Sequence, residues 1–415
     1  MSKVLIIGGG PSGLMCGAKA SRNNDVIIIE KNEKVGKKIY ITGKGRCNVT
    51  NNCSNQEFIN NVVTNPKFLY SAINHFSCED TMNFFEERGV KLVTERGNRV
   101  FPYSYHASDI TKALLKACLD NNVEIKYFET VVKVEKNNDK FYITTNKSTY
   151  LVDKVVVATG GMSYPQTGST GDGYVFAKGF NIDVVKPIPG LVPLLVKEDF
   201  PRELYNFTFK NVKLTAFFKS SKKLIHSEFG ELMTMKGAIG GPIALTMSSL
   251  INKLDPNDIL LELDLKPALN EEKLEKRIIN DIELLKKKAN SNAFILIRGL
   301  VPSSLIPMIL KRIDVDGSLL IKNVSQEIII RLINVLKHFR LEYSGLDSFS
   351  RAIITSGGIS VKELNPKTME VKKIPGLFFV GETINIDAFT GGFNMQIALS
   401  CGASCGDYLY NLENK

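Results

Sequence analysis

The chain of 415 residues lacks any run of about 18 apolar residues, the length that a membrane-spanning helix requires. Its first apolar stretch follows a single lysine and has no small-residue cleavage site after it, so we interpret that stretch as a core strand rather than a secretory signal. The seven cysteines form no CxxC pair and no metal-like pattern with the four histidines. These absences predict a cytoplasmic protein with reduced thiols, no membrane partner and no metal.

The composition is that of a globular protein, with 44% hydrophobic and 23% charged residues, and the length predicts two or three domains. Six of the ten net positive charges lie in residues 1–50, which contain nine Lys or Arg and three acids. No motif for RNA or DNA binding is visible. We therefore attribute the basic excess to attraction of an anionic cofactor or substrate, and no nucleic-acid partner is expected.

The opening stretch has the pattern of a β-α-β unit that binds a dinucleotide. An apolar run enters a glycine turn, a helical segment follows, and a second apolar run ends in Glu30. Gly8 makes the tight turn, Gly10 lets the backbone approach a pyrophosphate, and Gly13 lets the helix pack closely on the strand. Glu30 is positioned to accept hydrogen bonds from a ribose diol. The residues assigned to this part of the site are Gly8, Gly10, Pro11, Ser12, Gly13 and Glu30.

A second glycine-ended strand favours FAD over NAD as the dinucleotide. Residues 154–157 are an apolar run that ends in Ala158, Thr159, Gly160 and Gly161, a pattern that recurs in flavoproteins with two dinucleotide-binding segments. Before it, segments 123–128, 130–135, 140–145 and 148–152 alternate with period two, which predicts a β-meander like the third layer of glutathione-reductase-like FAD domains. Val131 of this meander is assigned to the cofactor site.

Two further segments complete the predicted cofactor site. The loop after Glu30 is rich in glycine and in cations suited to phosphate, and the last seventy residues contain a strand ending in Gly-Glu and a Gly-Gly turn that opens the final helix. A helix that begins there can direct its N–H groups at a flavin edge where negative charge collects on reduction. The residues assigned are Lys31, Lys37, Lys38, Gly43, Gly45, Arg46, Cys47 and Asn48 from the loop, and Gly381, Glu382, Asp387, Gly391, Gly392, Phe393, Asn394 and Met395 from the C-terminal region.

The character of the chain changes near residue 188, where three prolines bound a linker. Four segments beyond it alternate like strands, residues 230–242 are predicted as a glycine-rich turn, and a long amphipathic helix with three shorter ones follows. The fold class predicted is therefore α/β with an insertion. The predicted domains are an FAD-binding domain of residues 1–187 and 348–415, an inserted β-domain of residues 188–265 and about 340–347, and a helical domain of residues 266–339.

With these residues in hand, the sequence resembles a bacterial flavoprotein family labelled BaiN-type, aminoacetone-oxidase-family FAD-binding, or NAD(P)/FAD-dependent oxidoreductase. The segments that carry the resemblance are 43–48, 99–102, 167–173, 368–370 and 390–396. It implies non-covalent FAD and a discontinuous glutathione-reductase-like Rossmann FAD domain with an inserted β-barrel-like domain and a helical domain. The chain departs from the family at Met235-Lys236, where Thr-His is usual, and at Asn385, where Asp is usual.

These observations predict an FAD-dependent oxidoreductase that transfers hydride between an unidentified small organic substrate and flavin N5. A reductase of unsaturated or carbonyl compounds would draw electrons from NAD(P)H as a transient donor, whereas a flavin-dependent amine oxidase would use oxygen. A non-catalytic FAD-binding redox protein and an FAD-dependent RNA-modifying enzyme remain alternatives, and the latter requires a basic surface outside the cofactor cleft. Cys47, Tyr103, His106 and Tyr164 lie near the motif loops, but no catalytic residue and no oligomeric state is assigned.

Overall fold

Apolar runs and one-sided helical patterns alternate along the chain, and the computed structural model, which describes residues Met1–Leu412, shows the strands and helices that they form. The strands are β1 (Lys3–Ile7), β2 (Asp25–Ile29), β3 (Thr50–Asn51), β4 (Val62–Thr64), β5 (Leu92–Glu95), β6 (Arg99–Pro102), β7 (Glu124–Lys126), β8 (Val131–Asn137), β9 (Lys140–Thr145), β10 (Thr149–Val152), β11 (Lys154–Val157), β12 (Val184–Gly190), β13 (Leu194–Val196), β14 (Thr208–Phe218), β15 (Leu224–Met235), β16 (Ala238–Gly240), β17 (Ile259–Asp264), β18 (Phe339–Leu341), β19 (Tyr343–Leu346), β20 (Ile354–Ile359), β21 (Leu377–Phe379) and β22 (Asp387–Ala388).

The long amphipathic helix and the three shorter helices predicted for the insertion are all present. The helices of the chain are α1 (Pro11–Ala20), α2 (Asn55–Asn60), α3 (Pro66–His75), α4 (Cys78–Glu86), α5 (Ala107–Leu119), α6 (Asp172–Gly179), α7 (Pro242–Ile251), α8 (Glu271–Lys286), α9 (Ala293–Arg298), α10 (Ile306–Ile313), α11 (Gln326–Lys337) and α12 (Phe393–Leu412). Within Met1–Leu412, no helix combines the length and the apolar character needed to cross a membrane.

The chain forms two units: unit 1 contains Met1–Gly190 and the segment from Ser348 onward, and unit 2 contains Leu191–Asp347. Unit 1 is built on a five-stranded parallel sheet with the order β21-β11-β1-β2-β7. Strand β1 is central and its apolar residues are buried, as expected for a parallel sheet covered on both faces. The sheet is of the Rossmann type, because β1 pairs with β2 on one side and with β11 on the other.

Helix α12 packs against α1 through small residues. A Cβ atom at Gly402 would lie 2.4 Å from the carbonyl oxygen of Ser12, and one at Gly406 would lie 2.6 Å from that of Cys16. Only glycine permits this approach of the two helix backbones. Cys401 and Cys405 of α12 are fully buried in this region, as structural residues of the core.

The segment 123–128 does not belong to the meander, so that part of the strand prediction is wrong. Its strand β7 pairs in parallel with β2, with Ile125 opposite Ile28, and only β8, β9 and β10 form the antiparallel sheet. A period-two pattern identifies a strand but does not identify its neighbour, because pairing depends on residues about a hundred positions away.

In unit 2, seven strands form one sheet with the order β18-β17-β14-β15-β16-β13-β19. The helices of this unit bury residues such as Ile278, Ile306 and Leu332 in the same apolar cluster as Leu214 and Leu261 of the sheet. The strands and helices of unit 2 therefore share a hydrophobic core.

The predicted glycine-rich turn over residues 230–242 is wrong. Strand β15 continues to Met235, a short turn with Gly237 at φ 63° leads into β16, and Gly241 at φ 84° precedes α7. The glycines mark close approaches rather than one loop: a Cβ atom at Gly241 would lie 3.0 Å from the carbonyl oxygen of Glu231. Glycine at close backbone contacts and glycine in a loop look the same in a sequence.

Candidate functional site

A cleft in unit 1 opens at the carboxyl ends of β1, β2 and β11, where ligands bind in open α/β sheets. It extends to the start of β8, to the loop after β21 and to the first turn of α12. The predicted site residues that line it are Gly8, Gly10, Pro11, Ser12, Glu30, Lys31, Lys37, Lys38, Val131, Ala158, Thr159, Gly160, Glu382, Asn394 and Met395. The structure thus brings together residues from six separate stretches of the sequence.

The three glycines of the first turn have different structural roles. Gly8 has φ 107°, and a Cβ atom there would lie 2.6 Å from the carbonyl oxygen of Ala158. A Cβ atom at Gly13 would lie 2.1 Å from the carbonyl oxygen of Gly8. A Cβ atom at Gly10 would lie 4.0 Å from its nearest neighbour, the carbonyl oxygen of Ala158. The Gly10 position therefore faces open space in the cleft. Pro11 has no N–H and the Leu14 N–H donates to the carbonyl oxygen of Gly10 at 2.9 Å, so the N–H groups of Ser12 and Gly13 in the first turn of α1 are the ones suited to bind phosphate oxygens.

Glu30 follows β2 and is held in place by three donors. Its Oε2 accepts a hydrogen bond from the Gly9 N–H at 2.9 Å, and its Oε1 accepts from the backbone and side-chain nitrogens of Asn32 at 2.8 and 2.7 Å. The residue is only 7% exposed, yet it lines the cleft. Each carboxylate oxygen has two acceptor sites, so the group retains capacity for a ribose hydroxyl.

The predicted phosphate-binding lysines already have protein partners. Lys31 Nζ donates to Asp172 at 2.7 Å, Lys37 pairs with Glu33 at 3.2 Å, and Lys38 pairs with Glu382 at 2.6 Å. Glu382 also accepts hydrogen bonds from the Ser163 hydroxyl and the Thr355 N–H, each at 2.8 Å. The pairs made by Lys31 and Lys38 connect the loop after β2 with the start of α6 and with the loop after β21, whereas the Lys37 pair lies within the loop after β2.

Helix α12 presents its N-terminus at the cleft. Gly391 and Gly392 precede it with φ values of 128° and 98°. The Asn394 side chain is used within the protein: its Nδ2 donates to the carbonyl oxygens of Ala388 and Phe389, and its Oδ1 accepts from the Ala388 N–H. The backbone N–H groups of the first turn remain for a ligand, and Asn394 and Met395 both line the cleft.

The other predicted site residues support the cleft from behind or lie away from it. Gly13, Gly161, Gly381, Gly391 and Gly392 are positions of close packing, and Asp387 accepts a hydrogen bond from the Ser356 hydroxyl. Phe393 packs edge-on against Phe58. The loop residues that do not line the cleft are Gly43, Gly45, Arg46, Cys47 and Asn48. Among them, Arg46 pairs with Glu95 at 3.1 Å.

None of the four residues considered for catalysis lines the cleft. Burial raises the pKa of the Cys47 thiol to about 12, which keeps it protonated and unreactive at neutral pH. Tyr103 is 69% exposed and His106 is also exposed. Burial raises the pKa of Tyr164, whose backbone N–H donates to the carbonyl oxygen of Phe349. Among the described residues, no group of His, Cys, Asp and Glu is arranged to hold a metal ion.

Sequence reasoning missed several residues that line the cleft. Glu129 and Thr130 lie just before β8, and Ile353, Ile354 and Ile386 add apolar surface near the C-terminal loops. The isoleucines carry no local signal that separates them from core residues. Thr167 and Gly168 line the cleft as well, but sequence reasoning did not overlook their segment: residues 167–173 carry part of the resemblance to a flavoprotein family.

The cleft residues fit a dinucleotide. A glycine turn leaves open space at Gly10, a fixed carboxylate lies at the ribose position, and two helices direct their N-termini into the same cleft. The buried Oγ1 of Thr159, beside the turn, has no hydrogen-bond partner among residues Met1–Leu412. Fold and cleft together define a Rossmann-type FAD-binding protein. The chain belongs to the family described as HI0933-like protein Rossmann domain, whose model matches residues 2–408, and this family consists of FAD-dependent oxidoreductases.

Two curated relatives match nearly the whole chain. A ribosomal RNA dihydrouridine synthase from Escherichia coli (strain K12) is 29% identical over 408 residues, covering 98% of this chain and 97% of the relative. A 3-dehydro-bile acid delta(4,6)-reductase from Clostridium scindens is 25% identical over 411 residues, covering 98% of each. Among solved structures, a quinol-fumarate reductase matches 99% of this chain and 71% of its own with a TM-score of 0.50 at 15% identity, which shows the shared fold.

Proposed function

We propose that this protein is an FAD-dependent reductase of carbon–carbon double bonds conjugated to a carbonyl group, and that its substrate is uridine in ribosomal RNA. The observation that carries the proposal is the cleft of unit 1, which joins a dinucleotide-binding turn to the N-terminus of α12. When bound there, FAD supplies hydride chemistry, with NAD(P)H as the proposed electron donor. In this proposal the residues of the cleft bind and orient the cofactor. The type of reaction is inferred from the relatives.

The two curated relatives carry out reactions of one chemical type. Dihydrouridine differs from uridine by one hydride and one proton added across a double bond next to a ring carbonyl. A 3-dehydro-bile acid with delta(4,6) unsaturation also has its double bonds conjugated to a ketone. An amine oxidase is not among these reactions, so a reductase is the better supported alternative.

The charge of the chain favours RNA over a small apolar substrate. The net charge of +10 suits a polyanion, whose phosphates interact with Lys and Arg over the whole contact surface. The earlier expectation of a small organic substrate without nucleic acid is therefore replaced in this proposal. A small-molecule enone remains the second candidate, because one full-length relative is a bile acid reductase.

Within the cleft, the chain's own residues have assigned tasks in this proposal. The α1 N-terminus and the open position at Gly10 hold the pyrophosphate, and Glu30 accepts the ribose hydroxyls. Lys38 Nζ donates hydrogen bonds to the Glu382 carboxylate and the Ser163 hydroxyl, and so fixes the loop after β21 against the loop after β11. The N-terminus of α12 orients the ring end of the cofactor.

The test uses the purified protein with FAD under anaerobic conditions. NADH and NADPH are added separately, and bleaching of the flavin absorbance identifies the donor. The reduced protein is then mixed with ribosomal RNA transcribed in vitro, which contains unmodified uridine, and the digested nucleosides are analysed by mass spectrometry. We expect a uridine-derived nucleoside that has gained two hydrogens, and none when the reductant is omitted.

Two further acceptors distinguish the alternatives. If cyclohexenone reoxidises the reduced flavin and the transcript yields no dihydrouridine, the RNA substrate is rejected and the second candidate is supported. If neither acceptor reacts but aminoacetone bleaches the flavin in the oxidised protein, the reductase proposal itself is wrong.

A further inference from the structure

A basic and aromatic surface of unit 1 lies beside the cleft and has no role in the cofactor site. It is formed by the antiparallel β5–β6 hairpin with its flanking residues and by the chain just after the cleft residue Thr42. We call it the hairpin surface and define it by Lys44, Arg46, Lys91, Arg96, Tyr103 and Tyr105. Its cations and exposed rings are of the kinds that bind nucleic acid strands.

The hairpin surface is strongly positive. Residues 91–106 contain three Lys or Arg and only one acid, Glu95. Glu95 pairs with Arg46 at 3.1 Å and with Arg99 at 3.6 Å, so this carboxylate is already shared by two guanidinium groups. Lys44, Lys91 and Arg96 are exposed and have no acidic partner within 4.0 Å in the part of the chain that the structure describes. Three uncompensated cations are therefore available to an anion.

The aromatic residues of this surface are accessible to a flat ligand. Tyr103 is 69% exposed and Tyr105 is 40% exposed. The guanidinium of Arg46 lies 4.4 Å from the ring centre of Phe101 and 5.5 Å from that of Tyr105. The Tyr103 N–H donates to the carbonyl oxygen of Lys91 at 2.8 Å, so an exposed tyrosine and an exposed lysine occupy neighbouring backbone positions at the open end of the hairpin. Bases stack on such rings while phosphates contact the neighbouring cations.

The hairpin surface is connected to the cleft through one short segment. Lys38 and Thr42 line the cleft, and Gly43 follows directly. A Cβ atom at Gly43 would lie 3.3 Å from the ring of Phe101, and Gly43 has φ 56°. Thr42, which lines the cleft, and Gly43, which lies beside the Phe101 ring under Arg46, are therefore consecutive residues.

We propose that the hairpin surface binds a single-stranded RNA segment that flanks the base entering the cleft. This inference rests on the proposed function, because it assigns the RNA-binding surface for the same site. Charge complementarity and the exposed rings favour RNA over a protein partner: the hairpin surface presents three unpaired cations beside exposed tyrosine rings and only one acid, already paired. Phosphate contacts account for affinity and stacking tolerates different base sequences.

The test measures binding separately from catalysis. The FAD-loaded protein is titrated into a fluorescent single-stranded RNA of twelve nucleotides, alternating uridine and adenosine, and anisotropy gives Kd at several salt concentrations. The charge variant combines Lys44→Glu, Lys91→Glu and Arg96→Glu. The control variant combines Lys67→Glu, Lys178→Glu and Lys367→Glu, which are exposed lysines outside the hairpin surface and change the net charge equally.

We expect the charge variant to bind RNA at least about tenfold more weakly than the control variant, and the magnitude of its salt slope to fall by about 2, since each phosphate contact with a single strand contributes about 0.7. Tyr103→Ala is expected to weaken binding about tenfold with an unchanged salt slope, because it removes stacking and no charge. Bleaching of the flavin by NAD(P)H is measured in the charge and control variants, and equal rates show that the cofactor site is intact.

Equal RNA affinity of the charge and control variants would overturn the proposal, as would a wild-type protein that does not bind the RNA. If wild type binds RNA through the hairpin surface but forms no dihydrouridine, the surface stands and the proposed reaction fails. If capture experiments show instead that a protein binds at Tyr103 and excludes RNA, the hairpin surface is a protein interface and the RNA proposal is rejected.

Discussion

Lys38 Nζ lies 2.6 Å from Oε2 of Glu382, although the two residues are 344 positions apart in the sequence. Both side chains line the cleft, and both are about one-fifth exposed. The pair therefore connects the N-terminal loop of unit 1 to its C-terminal segment at the point where the cofactor is proposed to bind. Hydrogen bonds to charged groups that are partly shielded from water are stronger than those at the surface.

Removal of this pair is expected to destabilise the protein measurably. Lys38→Met leaves Glu382 with two neutral donors and no counter-charge, so we expect the free energy of unfolding to fall by about 1–3 kcal/mol in urea denaturation. Lys116→Met is the matched control, because Lys116 of α5 pairs with Asp120 just after that helix and both side chains are more than half exposed. It should change stability by less than about 0.5 kcal/mol. Equal effects of the two substitutions would contradict this account.

Alanine substitutions at two glycines of the first turn should separate an effect on folding stability from an effect on cofactor binding. Gly13→Ala places a Cβ atom 2.1 Å from the carbonyl oxygen of Gly8 and is expected to cost about 3 kcal/mol or more. Gly10→Ala meets no protein atom closer than 4.0 Å, so its melting temperature without FAD should equal that of wild type. Because its methyl group would occupy the position proposed for the pyrophosphate, Gly10→Ala should retain less flavin after gel filtration. Full flavin retention by Gly10→Ala would show that the pyrophosphate lies elsewhere.

Cys401 should make stability depend on pH in alkaline solution. Burial raises the pKa of this thiol from 9.0 to about 12 in the folded protein. Below pH 9 both folded and unfolded states are protonated and the contribution is constant. Above that pH only the unfolded state loses its proton, so the free energy of unfolding falls, by up to about 1.4 kcal/mol per pH unit, until the folded thiol also titrates.

The measurement for Cys401 is the difference in unfolding free energy between wild type and Cys401→Ala at pH values from 8 to about 11. This difference should be constant at the lower end and then decrease as pH rises. Leu399→Ala removes a buried side chain from the same helix without removing a titratable group, so its difference from wild type should not change with pH. Parallel curves for all three proteins would show that the Cys401 thiol titrates normally.

The Asn394 side chain is expected to stabilise the folded protein only as an amide, because it has to donate hydrogen bonds. Its Nδ2 donates to the carbonyl oxygens of Ala388 at 2.8 Å and Phe389 at 3.1 Å. Asn394→Asp would place a carboxylate against these two acceptors, whereas Asn394→Ala only removes the bonds. We expect Asn394→Asp to have the lower melting temperature at neutral pH and to regain stability as the carboxylate is protonated. A lower melting temperature for Asn394→Ala at neutral pH would contradict the assigned amide orientation.

Much of the local structure was predictable because its causes are local. The bounds of β1 and the start of α1 follow from an apolar run that meets glycines and Pro11, and the β5–β6 hairpin follows from two short apolar runs around a turn. The errors occurred where packing against another strand, rather than the local sequence pattern, decided the structure. Segment 123–128 joined the parallel sheet through β2, and the glycines of residues 230–242 were explained by packing against neighbouring strands.

The candidate site shows the same division. Gly8 and Gly13 could be identified from their spacing, because the chemistry of the turn permits no other residue type there. The lysines could be predicted as cleft residues, but the pairing of Lys31 with Asp172 and of Lys38 with Glu382 could not. Arg46 was predicted to contact a cofactor phosphate, whereas it lies outside the cleft and contacts Glu95 and Phe101.

The sequence by itself determined the dinucleotide turn, the family and most of the helices and strands, since each depends on residues a few positions apart. Only the tertiary structure decided which cations remain unpaired and which rings are exposed. Lys38 has its charge compensated from across the fold, while Lys44, six residues later, faces solvent with no such partner in the described chain. Such differences arise from long-range pairing, because the partner of a charged side chain is chosen by distance in space rather than by position in the sequence.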